Sequence, residues 1–378
     1  MPLSSAKRAW IVIAVVLLCL VAAGVAYYYW QTRPLPPIVS TLPGVPAAGP
    51  PPDILSQLPA DAPVVAYIDA VNLRTLQNSP LAAALGLASP GPQADRDYAN
   101  FVRDTGFDYT RDLDHAAIAV WPASVGTPDN VLGEDRVIAI ADGRFDQQKI
   151  KTYALRTGKE IAHDQRQVYE VPGNPPVSLT FLSPTRIALA GSRNATELLA
   201  RVSPNASSSA SRGPAMQSRI QRVAGAPMFA VARADRLPQS IYAPLHNSPQ
   251  LEQIARSVQA ITLAGQPDRD NLKVTLDAEC DSLKNAVQLA FLLETGKMAG
   301  SMALSDPRTR RQMTREQYAF LEALINRATI NHQNKVVRIT LEITPDMLAA
   351  APPPKPAASH PPATTHAPPP AAYPNSSQ

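Results

Sequence analysis

The residue types best able to do chemistry form one short grouping, Asp112-Leu113-Asp114-His115. A carboxylate beside an imidazole can bind a metal ion or orient a general base. The same residues also fit a polar turn that leads into the strand pattern beginning at His115, and we favour this interpretation. A second acidic stretch, Asp268-Arg269-Asp270-Asn271, follows Pro267 between two strand patterns and predicts a hairpin loop, because calcium would need more oxygen ligands at regular spacing.

Two further groups carry reactive or charged side chains. Cys280 opens a predicted helix, where the dipole could lower the pKa of a thiol, but it also continues an inward-facing strand pattern. We therefore interpret Cys280 as a buried packing residue. The densest basic cluster could meet an anionic lipid or glycan, but neighbouring acidic residues dilute its field and favour a solvated loop and helix start. Its members are Arg308, Arg310, Arg311 and Arg315.

Sequence motifs with a catalytic mechanism are absent. The chain has no G-x-S-x-G, HExxH or G-x-x-x-x-G-K-[ST] pattern. The pairs Gly158-Lys159 and Gly296-Lys297 lack the upstream glycine that cradles phosphate, and they indicate helix C-termini. No two histidines have ligand spacing on a helix; the six are His115, His163, His246, His332, His360 and His366. The sequence therefore predicts no catalytic, cofactor-binding or metal-binding residue.

The charge distribution argues against a nucleic-acid partner. The chain has 35 Lys or Arg and 31 Asp or Glu, which gives a net charge of +4. Every acidic residue lies within 53–350, and that stretch is neutral. The excess positive charge belongs to four residues near the chain ends, Lys7, Arg8, Arg33 and Lys355. The body therefore lacks the basic surface that binds polyanions.

Residues 10–30 predict a transmembrane helix. These 21 residues carry no charge, and as a helix they would span about 31 Å, the thickness of a bilayer's hydrocarbon core. Trp10 and the cluster Tyr27–Trp30 lie at its two ends, where amphipathic rings meet lipid headgroups. Positive residues concentrate in 1–9, which predicts a cytoplasmic N-terminus and an extracytoplasmic body in a bacterial inner membrane. The lipid bilayer is thus one predicted partner.

A cleaved signal peptide is the alternative interpretation of this segment, with Val21-Ala22-Ala23 as the small-residue cleavage site. The apolar run continues past that site into the aromatic cluster, which favours an uncleaved anchor. A lipoprotein is disfavoured because Leu18 precedes Cys19 where a lipobox requires a small residue. Cys19 then fills space within the span.

Proline divides the rest of the chain. Eight of the 39 prolines fall within 34–52 and ten within 351–378. These stretches are nearly uncharged, so we expect a semi-rigid spacer over 31–52 and a disordered tail over 351–378. A Ser-rich linker over 203–223 then separates two predicted modules, 53–202 and 224–350.

The two modules carry related patterns. The stretch Ala62–Leu73 aligns with Ala226–Leu237 at an offset of 164, with five of twelve positions identical. In each module two strand patterns precede a helix, which opens at Asp146 or Asp281 and ends in Thr-Gly. Internal duplication explains this order, and chance identity among Ala-rich strands is the alternative.

Period-two patterns predict the fold class. In Leu272–Ala278 and Val337–Ile343, apolar residues alternate with charged residues or threonine. Such alternation is typical of antiparallel sheet with one buried and one solvated face. Thr314 and Gln317 fit a capping box at the start of an amphipathic helix. We therefore predict an α+β fold in which helices cover mostly antiparallel sheet.

Two short stretches carry a resemblance. The opening Leu58-Pro59-Ala60-Asp61-Ala62-Pro63, followed by the strand pattern Val64–Asp69, resembles the start of uncharacterised bacterial envelope proteins. In those proteins a membrane anchor precedes a module of unknown function. Gly106–Asp114 is similar to the same group. The resemblance implies an envelope location and no catalytic residues.

Together these features predict an envelope protein whose modules bind or scaffold, with an envelope protein or a glycan as partner. An envelope hydrolase with a site assembled from distant residues is the alternative, because sequence spacing does not test it. A third hypothesis gives the function to the tail 351–378, which could recruit a partner in polyproline form.

Overall fold

The structure is a computed structural model, and it describes residues 52–74, 96–122, 136–163, 166–173, 175–202, 214–237, 242, 249–268, 271–311 and 313–349. The predicted transmembrane helix 10–30, the spacer 31–52 apart from Pro52, and the tail 351–378 lie outside the described residues. Within the described stretches, no helix is both long enough and apolar enough to cross a bilayer.

The described strands form one 12-stranded sheet in which neighbours run antiparallel. In chain order they are β1 (Val64–Asp69), β2 (Leu113–Trp121), β3 (Arg136–Gly143), β4 (Lys159–His163), β5 (Arg166–Val171), β6 (Val177–Ser183), β7 (Arg186–Gly191), β8 (Met228–Arg233), β9 (Val258–Asp268), β10 (Asn271–Cys280), β11 (Thr329–Gln333) and β12 (Val336–Ile343). Their spatial order is β11-β12-β10-β9-β8-β1-β2-β3-β7-β6-β5-β4. The prediction of an α+β fold with antiparallel sheet is confirmed.

Helices lie between these strands along the chain. In chain order they are α1 (Ala70–Arg74), α2 (Arg96–Thr105), α3 (Tyr109–Asp112), α4 (Gln147–Thr157), α5 (Ala195–Ala200), α6 (Pro214–Gln221), α7 (Pro249–Arg256), α8 (Leu283–Ser305), α9 (Pro307–Arg311), α10 (Arg315–Arg327) and α11 (Pro345–Ala349). Short 3-10 helices span Asp53–Gln57 and Ala234–Arg236. The capping box predicted at the start of α10 is confirmed, with Thr314 and Gln317 bonding to each other's backbone.

The central strands bury one face under short helices. Val65 and Tyr67 of β1 share this core with Phe229 and Val231 of β8, because side chains two residues apart point to the same side of a strand. Helices α5 and α6 cover this face, and Ile220 of α6 is fully buried in it. The core therefore crosses from the first predicted module to the second.

The longer helices cover the opposite face at two separate places. Helix α8 buries Ala286 and Leu289 against Val337 of β12. Helix α4 buries Ile150 against Ile187 of β7. Each half of the sheet thus carries its own helix on this face.

The two halves meet at β1 and β8 in a symmetrical way. Ala66 pairs with Ala230, its counterpart at the offset of 164. On either side of this pair, Val65 pairs with Val231 and Tyr67 pairs with Phe229, and these two pairs are related to each other by the same offset. The ladder closes with two equivalent hydrogen bonds of 2.7 Å, from Asp69 N to Pro227 O and from Arg233 N to Pro63 O. Each of these donors and acceptors is again related to its counterpart by 164 positions. The local axis therefore passes between two equivalent residues of the aligned stretches.

The predicted helix ends are right in α4 and wrong in α8. Asp146 caps α4 and Gly158 ends it. The N-cap of α8 is Ser282 rather than Asp281, because the Ser282 hydroxyl accepts a hydrogen bond from a backbone N–H of the first turn. Helix α8 then continues nine residues beyond Gly296 to Ser305, and Gly296 is buried within it. Gly296 therefore packs inside α8 and does not end the helix.

The predicted linker 203–223 is partly folded. Residues 203–213 lie outside the described part, but Pro214–Gln221 is helix α6. Met216, Ile220 and Val223 of this stretch are buried in the central core. Their apolar side chains at helical spacing explain why the chain packs onto the sheet at this point.

The prediction of a solvated polar face is wrong for the middle of β10 and β12. Thr275, Asp277 and Arg338 lie on that face, yet all three are buried. The Arg338 guanidinium donates to both oxygens of the Asp277 carboxylate at 2.7 Å. The alternation correctly predicted which side chains share a face. It did not predict that this face is covered, which is possible because Asp277 and Arg338 satisfy each other's charge.

Candidate functional site

The predicted acidic grouping divides between a structural turn and a cleft. Asp112 ends α3 and accepts hydrogen bonds from the Arg111 guanidinium at 2.6 and 2.9 Å and from Asp108 N at 3.0 Å. The hydrogen bond from Arg111 holds the pKa of the Asp112 carboxyl below its ordinary value, although burial opposes this shift. Asp112 therefore stabilises the turn before β2, as the favoured interpretation predicted.

Asp114 and His115 line an open cleft of about 520 Å³. The cleft lies at the edge of the sheet where β2 begins, β3 ends and the β6–β7 hairpin turns. The 3-10 helix Asp53–Gln57 lies beside it. Its lining residues are Gln57, Val71, Asp114, His115, Asp142, Gly143, Leu182, Ser183, Thr185 and Arg186. The structure thus brings part of the predicted grouping together with residues from distant positions, but Asp112 is not among them.

The imidazole of His115 is held from one side. The Tyr67 hydroxyl lies 3.0 Å from His115 Nδ1, and Asp69 Oδ1 lies 3.7 Å from the same atom. Burial, with the charges of Asp69 and Asp142, raises the pKa of Tyr67 to about 12, so its hydroxyl keeps the proton. Because this buried O–H has no other acceptor among the described residues, we assign it as the donor to Nδ1. A ring that accepts at Nδ1 carries its own proton on Nε2.

The charged side chains of the cleft are already paired. The Arg186 guanidinium donates to both oxygens of Asp142, at 2.5 and 2.7 Å. The Arg74 guanidinium donates to Asp114 at 2.9 Å. Bidentate pairing of this kind fixes the geometry of both partners. The cleft therefore presents few unsatisfied charges to a ligand.

The other candidates from the sequence lie apart from this cleft. Cys280 ends β10 with 2% exposure, and burial raises the pKa of its thiol, so the prediction of a packing residue is confirmed. The loop that we predicted after Pro267 is a hairpin, since Asp268 pairs with Asn271. Arg269 and Asp270 lie outside the described residues. The basic cluster Arg308, Arg310, Arg311 and Arg315 is exposed on α9 and at the start of α10.

The histidines do not converge. His163 lies on β4 and His332 on β11, at opposite ends of the sheet order, while His246, His360 and His366 lie outside the described part of the chain. Among the residues that the structure describes, no three His, Cys, Asp or Glu side chains are placed to hold a metal ion.

A second concavity of about 410 Å³ lies between α7 and α8, and we call it the α7–α8 groove. Sequence analysis did not predict it. Its lining residues are Gln250, Leu251, Gln253, Ile254, Lys284, Asn285, Gln288, Phe291, Leu292 and Thr295. The apolar members Leu251 and Ile254 also anchor α7 on the sheet side, since Leu251 is buried and Ile254 packs against the core beneath α8.

The polar side chains of the α7–α8 groove are mostly unpaired. Gln250, Gln253, Gln288 and Lys284 are exposed, and none has a hydrogen-bond or ion-pair partner among the described residues. Asn285 donates through Nδ2 to Asp281 at 2.7 Å and keeps its carbonyl oxygen available. The available signal in the sequence was the i, i+3 spacing of amide residues on each helix, but only the packing of α7 beside α8 brings the two sets together.

Comparisons with known proteins find distant matches among solved structures. No protein family and no curated protein matches the chain. Among solved structures, crystal form III of TP0453 is 13% identical with a TM-score of 0.44, covering 79% of this chain and 96% of that one. Crystal form I gives 13% and 0.39, and form IV gives 12% and 0.43; each covers 79% of this chain and 95% of the other. Similarity at this level does not support any transfer of function.

Proposed function

We propose that the chain is a membrane-anchored, extracytoplasmic protein of the bacterial cell envelope that acts by binding or scaffolding rather than by catalysis. The apolar stretch 10–30 supports the anchor, and the proline-rich spacer 31–52 supports a body held clear of the bilayer. The predicted partner is an envelope protein or a glycan. The neutral body supports the absence of a nucleic-acid partner.

One contrast carries this proposal. In the cleft near His115 the charged groups satisfy each other, whereas in the α7–α8 groove the amides of Gln250, Gln253 and Gln288 have no partner within the described residues. A reaction needs groups that are free to meet the reacting atoms. A binding surface needs unpaired donors and acceptors beside apolar contact area. The groove meets the second condition, whereas in the cleft the Arg and Asp side chains bond to each other.

Photo-crosslinking in the native host tests the proposal. A photoreactive residue placed at Gln253 or Gln288 of the full chain should capture an envelope component. The same residue at Gln217 or Gln221 of α6 is the matched control, because these glutamines are also exposed. Equal capture from the groove positions and the α6 positions would count against a binding role for the groove. Absence of capture from all of them would also count against it.

The membrane tether has a separate test. If 10–30 anchors the chain, the intact polypeptide will sediment with membranes and resist extraction by alkaline carbonate. Protease added outside the inner membrane should then digest 53–350. Recovery of the intact chain in the soluble cytosolic fraction would overturn both the tether and the envelope location.

An envelope hydrolase is the second candidate, and the cleft is the observation that favours it. Asp69, His115 and Ser183 belong to the same region, with Asp69 Oδ1 at 3.7 Å from His115 Nδ1. The hydrogen bond from Tyr67 argues against it, because a general base in such a triad needs an unprotonated Nε2. Labelling of the full chain by a fluorophosphonate probe, lost in Ser183→Ala, would establish the hydrolase.

We also propose that the modules 53–202 and 224–350 arose by internal duplication. The antiparallel pairing of Ala66 with Ala230 supports this proposal, since related segments at the same offset meet about a local twofold axis. The order strand, strand, helix and final hairpin recurs in both halves, ending in β6–β7 and in β11–β12. Between the helix and the final hairpin, the first half has the additional hairpin β4–β5 and the second half has helices α9 and α10.

A further inference from the structure

The α7–α8 groove has the chemical features of a site for an uncharged ligand. Of its ten lining residues, Lys284 alone carries a formal charge at neutral pH. The nearest charges on α7 neutralise each other, since the Arg256 guanidinium donates to Glu252 at 2.6 and 2.8 Å. A strongly anionic or cationic ligand would therefore find little complementary charge.

Apart from the Lys284 ammonium, the unpaired groups of the groove are carboxamides. Each carboxamide offers two N–H donors and one carbonyl acceptor, so it can form two hydrogen bonds in parallel with another amide. Gln253 of α7 and Gln288 of α8 belong to opposite walls of the groove. A ligand with repeated hydroxyl and acetamido groups could engage both walls at once. Thr295 adds no free hydroxyl proton, because it donates to Phe291 O at 2.8 Å.

The apolar wall suits a ligand with C–H faces. Phe291 and Leu292 lie on the same side of α8 as Gln288 and line the groove with it. A pyranose ring presents hydroxyls at its rim and C–H groups on its faces, which matches amides beside an aromatic and an aliphatic side chain. A groove of about 410 Å³ is within the usual range for small-ligand sites.

A peptide fits the groove less well. Extended peptides add to a free sheet edge, and the groove is formed by two helices instead. Amphipathic helices need a continuous apolar trough, and here four polar side chains with exposed tips interrupt it. The composition of the walls therefore favours a glycan over a polypeptide.

We propose that the α7–α8 groove binds a neutral, N-acetylated glycan strand. This inference rests on the proposed function, because it supplies the ligand class for the same groove. Gln250, Gln253, Asn285 and Gln288 provide hydrogen bonds to hydroxyl and acetamido groups, and Phe291 provides apolar contact. Lys284 lies at the N-terminal end of α8 and reaches the same groove.

Calorimetric titration of the full chain in detergent micelles with chitotetraose, a neutral N-acetylglucosamine oligomer, tests the inference. The double variant Gln253→Ala/Gln288→Ala should bind about tenfold or more weakly, since each wall of the groove loses a hydrogen-bonding side chain. The matched variant Gln217→Ala/Gln221→Ala should bind like the parent. Cellotetraose, which lacks acetamido groups, should bind more weakly than chitotetraose.

Three outcomes would overturn the glycan assignment: no binding of chitotetraose at millimolar concentration, unchanged binding in Gln253→Ala/Gln288→Ala, or a preference for anionic polysaccharide that salt abolishes. Unchanged melting temperatures of both double variants exclude unfolding as the cause of a loss. If chitotetraose fails while photo-crosslinking at Gln253 captures an envelope protein, the glycan is wrong and the binding function stands. Failure of both experiments removes both proposals.

Discussion

Several charged side chains in this protein pair with each other where helices cover the sheet. Asp277 and Arg338 are each 6% exposed and form two hydrogen bonds of 2.7 Å. Glu279, two residues along the same strand, accepts hydrogen bonds from Arg219 at 3.1 Å and Arg222 at 2.9 Å. The first pair joins neighbouring strands, and the second group joins the region of α6 to β10.

Removing one partner of the buried pair should destabilise the protein strongly. Asp277→Ala leaves the Arg338 charge without its carboxylate, and such a change costs about 3–5 kcal/mol. The double variant Asp277→Leu/Arg338→Met should regain most of this loss, because no buried charge remains. Urea unfolding of the full chain measures both effects. A loss below about 1 kcal/mol for Asp277→Ala would show that solvent reaches the pair.

Acid should weaken the contact between α6 and β10. Hydrogen bonds from Arg219, followed by those from Arg222, hold the pKa of the Glu279 carboxyl below its ordinary value of 4.5, against the effect of burial. A carboxyl with a lowered pKa in the folded state stabilises the fold above pH 4.5, and the contribution disappears as pH falls through the folded pKa.

Glu279→Gln should therefore be less stable than the parent at pH 7 and should approach it as the pH falls below 4.5. The free energy of unfolding, measured between pH 3 and pH 7, checks this expectation. A constant difference between the two proteins over that range would contradict it.

At the scale of elements, local patterns predicted where helices begin better than where they end. Thr314 and Asp146 cap α10 and α4 as expected, because a cap depends on residues within one turn. The end of α8 was missed because Gly296 is buried within the packed helix and does not end it. Tertiary packing there outweighs the weak helix propensity of glycine.

Removal of a cap should cost a predictable amount. Thr314→Ala removes the hydroxyl that accepts from Gln317 N and should lower the free energy of unfolding by about 1 kcal/mol. Asp146→Ala should also destabilise the start of α4, where the carboxylate accepts from Lys149 N. Thr314→Ser, which keeps the hydroxyl, is the control in denaturant titration. Equal stability of the Ala and Ser variants would argue against a role for the cap.

At the scale of the whole molecule, the sheet unites what the sequence divides into two modules. Strands β1 and β8 pair with each other, and both contribute side chains to the central core. These side chains form one cluster: Val65, Tyr67, Phe229 and Val231. A structure of this kind should unfold as one cooperative unit, because separating the halves would expose that cluster.

Hydrogen exchange provides the test of this symmetry. The amides of Asp69 and Arg233 donate equivalent bonds of 2.7 Å across the axis, so we expect both to exchange at similar rates. Both should exchange only with global unfolding. Protection of one amide with rapid exchange of the other would show that the halves open separately and would argue against a single unit.

The sequence by itself determined the α+β class, the strands at Leu272–Ala278 and Val337–Ile343, the buried state of Cys280 and the caps of α4 and α10, because these depend on periodicity and on contacts within one turn. Only the tertiary structure decided that Asp114 and His115 meet Asp142 and Arg186, since these residues come from separate strands. It likewise decided that α7 lies beside α8. No local pattern encodes which amides on two distant helices will line the same groove, because that depends on how each helix packs on the sheet.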